Sequence, residues 1–247
     1  MEIDPFMLLR AYAMGVFPMS DDRDADETYW VEPKRRAIMP LDGFHLSRSL
    51  ARTLRRERFR LTANHAFADV IALCAEAAPD RPTTWINHGI EAAYRDLHAR
   101  GFAHSVECWS GNDLVGGLYG VSLGRAFFGE SMFSRAPDAS KGAMAWLVAR
   151  MRFGGFDLLD CQFMTEHLRS LGAIEISRRR YLSLLGAAVA DVPLGDAGEL
   201  FSSGAGACAA LAFGSATDLP PDFVSESLTV SGPTSGHDIA QLLTQTS

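Results

Sequence analysis

FFGESMFSR, Phe127 to Arg135, decides how this chain is read. Phe127, Phe128, Met132 and Phe133 suit a buried strand, on which alternate side chains face opposite sides. Glu130 stands in the middle of that run, where an unpaired carboxylate is costly or takes up a proton. On a regular strand Phe128, Glu130 and Met132 share one face. A second strand-like run, FDLLDCQF (Phe156 to Phe163), poses the same problem with Asp160 and Gln162, two residues apart and again on one face.

The surroundings of these two runs predict how they meet. FAHSVECW alternates, SGND is a turn signal, LVGGLYGV is strand-like, SLGR turns again, and AFFGESMF follows. This is the pattern of a three-stranded antiparallel meander. The loop SRAPDAS then leads into a helical run, Lys141 to Phe153, which Gly154 and Gly155 stop before DLLDCQF. A single helix crossover makes the two carboxylate-bearing strands neighbours. TEHLRSLG reads as a short helix, opened by Thr165 and closed before Gly172. Upstream, residues 65–77 and 88–100 carry helical apolar faces, through Phe67, Val70, Ile71 and Cys74 and through Ile90, Ala93, Tyr94 and Leu97.

If the two strands are neighbours, two carboxylates, an amide and a flexible apolar side chain meet at one place. Small-molecule sites are built that way, from an apolar pocket with a few converging polar groups. Both carboxylates could instead pair with arginines such as Arg125 or Arg135 and hold the fold. Spacing alone leaves the two readings open.

Charge is segregated along the 247 residues, and the total of −7 conceals it. Residues 1–33 hold two basic and eight acidic residues. Residues 34–60 reverse this, with nine basic residues against Asp42 and Glu57. Residues 191–247 contain seven acids and neither Lys nor Arg, in a Gly-, Ser- and Ala-rich composition with poor periodicity. They read as an acidic, weakly ordered tail. The division expected is therefore an N-terminal domain over 1–60, a body over 61–190 and a tail over 191–247.

SRSLARTLRRERFR, residues 47–60, can wind as a helix with Leu50 and Leu54 inward and arginines outward. A solvated face explains such a run, but it holds almost no acids to pair with. Unpaired guanidiniums at helical spacing suit phosphates, by forked hydrogen bonds and counterion release. Both readings stand on the residues alone.

Other features narrow the classes. No apolar run approaches the roughly 18–20 residues of a membrane span, and the N-terminus lacks a basic signal-like region. Four widely spaced cysteines form no CxxC pair, which favours reduced cytosolic thiols over a zinc site. The histidines show no metal-ligand spacing, so no metal is expected. Trp146 falls in a helical apolar pattern, whereas Trp85, in RPTTWINHG, stands in a loop-like setting and is the better candidate to stack a base.

Taken together, AYAMGVFPM, HLSRSLARTLRR, TTWINHGIEAAY, HSVECW, NDLVGGLYGV, FGESMFSR, ASKGA, LLDCQF and SLGAIEISRRRYL resemble the leucyl/phenylalanyl-tRNA–protein transferases, in family order from about residue 8 to 185. The resemblance implies an α+β fold, a small N-terminal α/β domain followed by an acyltransferase domain like that of the GNAT acetyltransferases. It implies a cytoplasmic enzyme that moves Leu, Phe or Met from aminoacyl-tRNA to a protein's N-terminal Arg or Lys, marking it for degradation, with no cofactor and no membrane.

It also implies residue roles. Asp160 and Gln162 would stand at the reacting centre, Asp160 orienting the attacking amine and Gln162 the ester. Glu130 would bind the α-ammonium of the aminoacyl group, and Met132, Leu118 and Phe127 would shape the pocket for its side chain. Trp85 would stack the terminal adenine, with Met19 where the family commonly has a second aromatic. Arg48, Arg52, Arg55 and Arg56 would face the tRNA, while the acidic tail matches no part of the family pattern. Two rival classes fit less well. A GNAT acetyltransferase needs a glycine-rich pyrophosphate cradle, and RAPDASKGA places Asp138 and Ser140 where those glycines belong. An RNA-binding module without activity explains the arginines but leaves Glu130, Asp160 and Gln162 without a purpose.

Overall fold

The structure, a computed structural model, describes residues 3–77, 82–195, 199–200, 213 and 235–244. It opens on α1 (Pro5–Ala13), started by Pro5 at its first position and by the Asp4 side chain, which accepts from the Met7 amide at 2.7 Å. A two-stranded ribbon follows, β1 (Phe17–Met19) with β2 (Tyr29–Val31). Next come β3 (Arg35–Met39), α2 (Arg48–Arg55), β4 (Arg60–Ala63), α3 (Phe67–Ala75) and α4 (His88–Ala99). The meander is β5 (Ala103–Ser110), β6 (Asp113–Leu123) and β7 (Ala126–Ser134). After it lie α5 (Ala139–Phe153), β8 (Leu158–Gln162), α6 (Glu166–Ser170), β9 (Ile174–Ser177) and α7 (Arg178–Ala188), with α8 (Gly236–Thr244) near the C-terminus.

Seven strands form one sheet in the order β4-β5-β6-β7-β8-β3-β9. All neighbours are antiparallel except β7 and β8, which run parallel with α5 as their crossover, as the sequence leads one to expect. The core on one face gathers α1, α3 and α4 around Phe128 and Tyr119; on the other, α2, α5 and α8 gather around Phe127 and Trp146. The large sheet draws a strand, β3, from within residues 1–60. β3 is an interior strand of the large sheet and β4 its edge, because Ala37, Ile38 and Met39 are buried behind the basic residues that dominate the local composition.

One irregularity positions everything that follows. Tyr119 pairs with Ser131 and Gly120 with Gly129, so Glu130 is an extra residue, a β-bulge in β7. Gly120 makes room for it: a Cβ there would lie 2.3 Å from the Phe128 carbonyl oxygen and 2.4 Å from the Phe127 ring. Beyond the bulge the alternation inverts. Phe128 and Phe133 pack on the α3–α4 side, whereas Phe127 and Met132 pack with Leu118 on the α5 side. Met132 therefore does not share a face with Phe128 and Glu130, contrary to the reading from period-two spacing.

The tail also departs from expectation where it is described. GHDIAQLLT winds as α8, with Ile239, Ala240 and Leu243 buried. Ser235 opens it, accepting from the Asp238 amide at 3.2 Å and donating to the Asp238 carboxylate at 2.8 Å. Much of 191–247 lies outside the described residues. Among those described, no helix is long and apolar enough to cross a membrane.

Candidate active site

β7 and β8 are paired only from Ala126–Leu158 to Phe128–Asp160. Glu130 and Gln162 follow at the open end, joined by a hydrogen bond from Gln162 Nε2 to Glu130 Oε1 at 2.8 Å. Two hydroxyls complete the carboxylate's shell. Tyr12 of α1 donates to Oε1 at 2.7 Å and Tyr94 of α4 to Oε2 at 2.9 Å, and the two hydroxyls also touch each other.

Glu130 is 8% exposed, and no cation contacts it among the described residues. Burial pushes its carboxyl up to about 7, although the three hydrogen bonds favour the ionised form and oppose that rise. Burial, and then the neighbouring Glu130 charge, raise both tyrosines well above their ordinary value, so they stay protonated donors. This is why a core strand tolerates a carboxylate in mid-run: three neutral donors solvate it in place of water.

Asp160 lies one layer behind. It is fully buried and accepts from Arg36 Nε at 2.9 and 3.0 Å, from Arg36 Nη2 at 2.6 Å and from the Tyr181 hydroxyl at 2.8 Å. Its fourth donor is the backbone amide of Gln162, at 2.8 Å. That bond clamps a residue whose φ of +59° is left-handed, a conformation that costs a side-chain-bearing residue about 1–2 kcal/mol. The Arg36 guanidinium is gripped in turn between the rings of Phe17 and Tyr181, 4.7 and 4.6 Å from their centroids, and donates to the Gly15 carbonyl at 3.1 Å. Burial works against its charge, but Asp160 more than compensates and holds its pKa above the usual value.

The scaffold alternative is thus half realised. An arginine does pair with Asp160, but it is Arg36; Arg125 pairs with Asp157 and Arg135 with Glu76.

A cavity of about 750 Å³ opens over this network. Trp85, Leu118, Glu130, Met132 and Gln162 line it, so five residues singled out in the sequence converge. Phe163, Met144 and Leu147 extend its apolar wall. Three others do not reach it. Phe127 is buried beneath, stacked on Phe213 at 5.3 Å. Asp160 is screened by Gln162, and Met19 sits on β1, off the wall. The chain next to Met19 is nonetheless tied to Trp85, since the Ser20 amide and hydroxyl both donate to the Trp85 carbonyl, at 3.2 and 2.9 Å.

Tyr12, Tyr94, Arg36 and Tyr181 were not singled out in the sequence. Tyr94 offers a faint signal, a hydroxyl on an otherwise apolar helix face, which needs a partner once buried. Among the described residues no cluster of His, Cys, Asp and Glu could hold a metal ion.

Arg48, Arg52, Arg55 and Arg56 occupy one exposed face of α2, away from these buried charges. Among the described residues no carboxylate pairs with any of the four, whereas Arg23, Arg35, Arg95, Arg100, Arg152, Arg169 and Arg178 each have an acidic partner.

The family described as leucyl/phenylalanyl-tRNA protein transferase matches residues 38–186, and its N-terminal domain matches residues 1–34. A leucyl/phenylalanyl-tRNA–protein transferase of Rhizorhabdus wittichii is 58% identical over 253 residues, covering 99% of each chain. That of Novosphingobium aromaticivorans is 52% identical over 256 residues, covering 99% of this chain and 97% of its own. The tail therefore has counterparts in both, although the family pattern ends before it. A relative from Zymomonas mobilis is 64% identical over 187 residues, 76% of this chain and 70% of its own. The chain belongs to the leucyl/phenylalanyl-tRNA–protein transferase family.

Proposed function

We propose that the protein moves Leu, Phe or Met from aminoacyl-tRNA to the N-terminal Arg or Lys of an acceptor protein. The acceptor's α-amine attacks the ester carbonyl. A C–N bond forms, the C–O bond to the ribose breaks, and the amine's proton ends on the released ribose hydroxyl. With a pKa of about 7.7–8 the amine is partly neutral at working pH, so positioning and charge stabilisation supply most of the acceleration.

The observation that carries this reading is Glu130. It is a buried carboxylate at the cavity wall with three neutral donors and no cation partner among the described residues, a place shaped for an ammonium. In this reading it holds the α-ammonium of the aminoacyl group. Met132 and Leu118 contact the apolar side chain, the unbranched thioether adapting to both Leu and Phe. Trp85 stacks the terminal adenine, with Met19 and Phe127 supporting that end and the pocket floor from behind.

Gln162 spends one amide hydrogen on Glu130, which leaves its second for the ester carbonyl and its own carbonyl oxygen to orient the attacking amine. Asp160 acts through it as a positioning residue, setting the Gln162 backbone. Arg48, Arg52, Arg55 and Arg56 bind the tRNA phosphates. The parallel β7–β8 pair joined by α5, inside an otherwise antiparallel sheet, supports the likeness to GNAT acetyltransferases. Where those enzymes cradle a pyrophosphate, the Ser140 amide in the first turn of α5 is bonded to Ser134 Oγ at 3.3 Å. Charged tRNA and reduced thiols both favour the cytoplasm, and the product would enter N-degron degradation.

The direct test is a filter assay with leucyl- or phenylalanyl-tRNA and an Arg-initiated peptide. Label should pass to the peptide, and should not when the peptide's N-terminus is acetylated. Hydrolysis without transfer, or acetyl transfer from coenzyme A, would sink the reading.

A further inference from the structure

The groove beside α2 has a second wall that lies outside the family pattern. We infer that α8 forms that wall and holds the arginine face in place for the donor tRNA's phosphate backbone. The inference rests on the reading that the donor is a tRNA, and deepens it.

Arg48, Arg52, Arg55 and Arg56 form one side of a cavity of about 560 Å³, Leu46 belongs to its lining, and Thr244 closes it from the end of α8. α2 has only eight residues, too few for a stable helix by itself, so its position depends on packing. α8 supplies much of that packing. Ile239 and Leu243 join the core that contains Leu50 and Leu54 of α2. The backbones come so close that a Cβ on Gly236 would lie 2.0 Å from the Leu54 carbonyl oxygen. From the other side, Arg152 of α5 donates to the Leu242 carbonyl at 2.9 Å, holding the last turn of α8.

The charges fit a phosphate chain as occupant. The arginine face has no carboxylate partner among the described residues, and the acid of α8, Asp238, stands in its first turn, at the opposite end from Thr244. Thr244 is exposed, and its hydroxyl bonds the Ala240 carbonyl of its own helix at 2.9 Å. The groove is thus cationic on one wall and uncharged on the other.

The test uses the full chain. Gly236→Val and Leu243→Asp each push α8 off α2, while Thr244→Lys and Thr244→Asp change only the charge at the groove's edge. Two quantities are measured for each: the binding of charged tRNA across a salt series, and the transfer rate from a small aminoacyl-adenosine donor. The undocking variants should bind tRNA several-fold more weakly and keep most of the small-donor rate. Thr244→Lys should tighten tRNA binding and steepen the salt slope by roughly 0.7–0.9, the increment for one phosphate contact, and Thr244→Asp should weaken binding.

Tighter binding on undocking would mean that α8 shields the arginines, and the inference would fall. Equal loss with both donors would make α8 a brace for the whole fold, and unchanged tRNA binding in all four variants would make it irrelevant; either result overturns the inference. If the unaltered chain shows no salt-dependent tRNA binding, the functional reading itself fails, which is a different result from these.

Discussion

Arg36 and Arg52 carry the same guanidinium and do opposite things. Arg36 is 1% exposed, forks onto Asp160, touches the Gly15 carbonyl and is sandwiched by two rings. Arg52 lies on an open helix face with Arg48, Arg55 and Arg56, and among the described residues no carboxylate answers any of them. An arginine whose charge is already met holds structure. One whose charge is unmet is available to a partner. The same distinction separates the two carboxylates, since Asp160 is saturated by an arginine whereas Glu130 has only neutral donors.

The largest effect that would break this comparison is at Arg36. Arg36→Met leaves Asp160 buried without its cation and should cost about 3–5 kcal/mol in urea unfolding. Arg36→Lys should recover only part of that, because an ammonium has neither the fork nor the flat faces that the two rings grip. Asp160→Asn should also lose stability and, by misplacing Gln162, should slow transfer by about 10²-fold, with little change in tRNA affinity. Near wild-type stability in Arg36→Met would show that this pair is not the clamp described.

Glu130→Gln comes next. Losing the charge should lower kcat/KM for transfer by roughly 2–5 kcal/mol, the scale for one partner of a buried charged pair. Protonation of the acceptor amine is common to both proteins, so the ratio of unaltered to variant kcat/KM should fall as the pH drops through about 7, where Glu130 takes up its proton. Stability should move the other way. The folded-state pKa, about 7, lies above the ordinary 4.5, so the proton's contribution is complete below about 4.5 and is lost as pH rises through about 7. Unfolding free energies of the two proteins compared across that window should diverge in this sense; parallel curves would mean Glu130 does not titrate there.

The exposed arginines test the other half of the contrast. Replacing Arg52, Arg55 and Arg56 together with Ala should weaken tRNA binding roughly 10- to 100-fold and lower the salt slope by about 2–3. Unfolding should hardly change, and a small aminoacyl-adenosine donor should be used as before. Equal damage with both donors would place these residues with Arg36, as structural.

Met132→Ala should have the smallest effect. It widens an apolar wall and should change the Leu/Phe preference by about 1 kcal/mol, measured as competing kcat/KM values. A large fall in melting temperature with an unchanged preference would return Met132 to the core.

Much of the architecture was legible. The meander β5–β6–β7, the crossover helix and the following β8 announce themselves through alternation, turn residues and a stop at Gly154–Gly155. Five of the cavity's residues were legible too, through the motifs that carry the family resemblance. The bulge was not, because period-two reasoning counts every residue, and one extra residue reverses each side chain beyond it. So spacing put Met132 on the face of Glu130, whereas the bulge turns it to the side of Phe127. α8 was hidden by the Gly- and Ser-rich composition before it, although SxxD followed by Ile239, Ala240 and Leu243 is a helix start with an apolar face.

By itself, then, the sequence determined the order of strands and helices around the candidate site, the family, and the charge contrast between a basic helix and an acid-rich chain. These depend on residues near one another, whose spacing and turn chemistry act locally. Only the tertiary structure decided which charge meets which. Arg36 reaches Asp160 across 124 residues and Tyr12 reaches Glu130 across 118, whereas the arginines close in sequence, Arg125 and Arg135, went to other acids. A buried carboxylate takes whichever donors the packing of distant elements brings within about 3 Å, and sequence separation does not enter that choice.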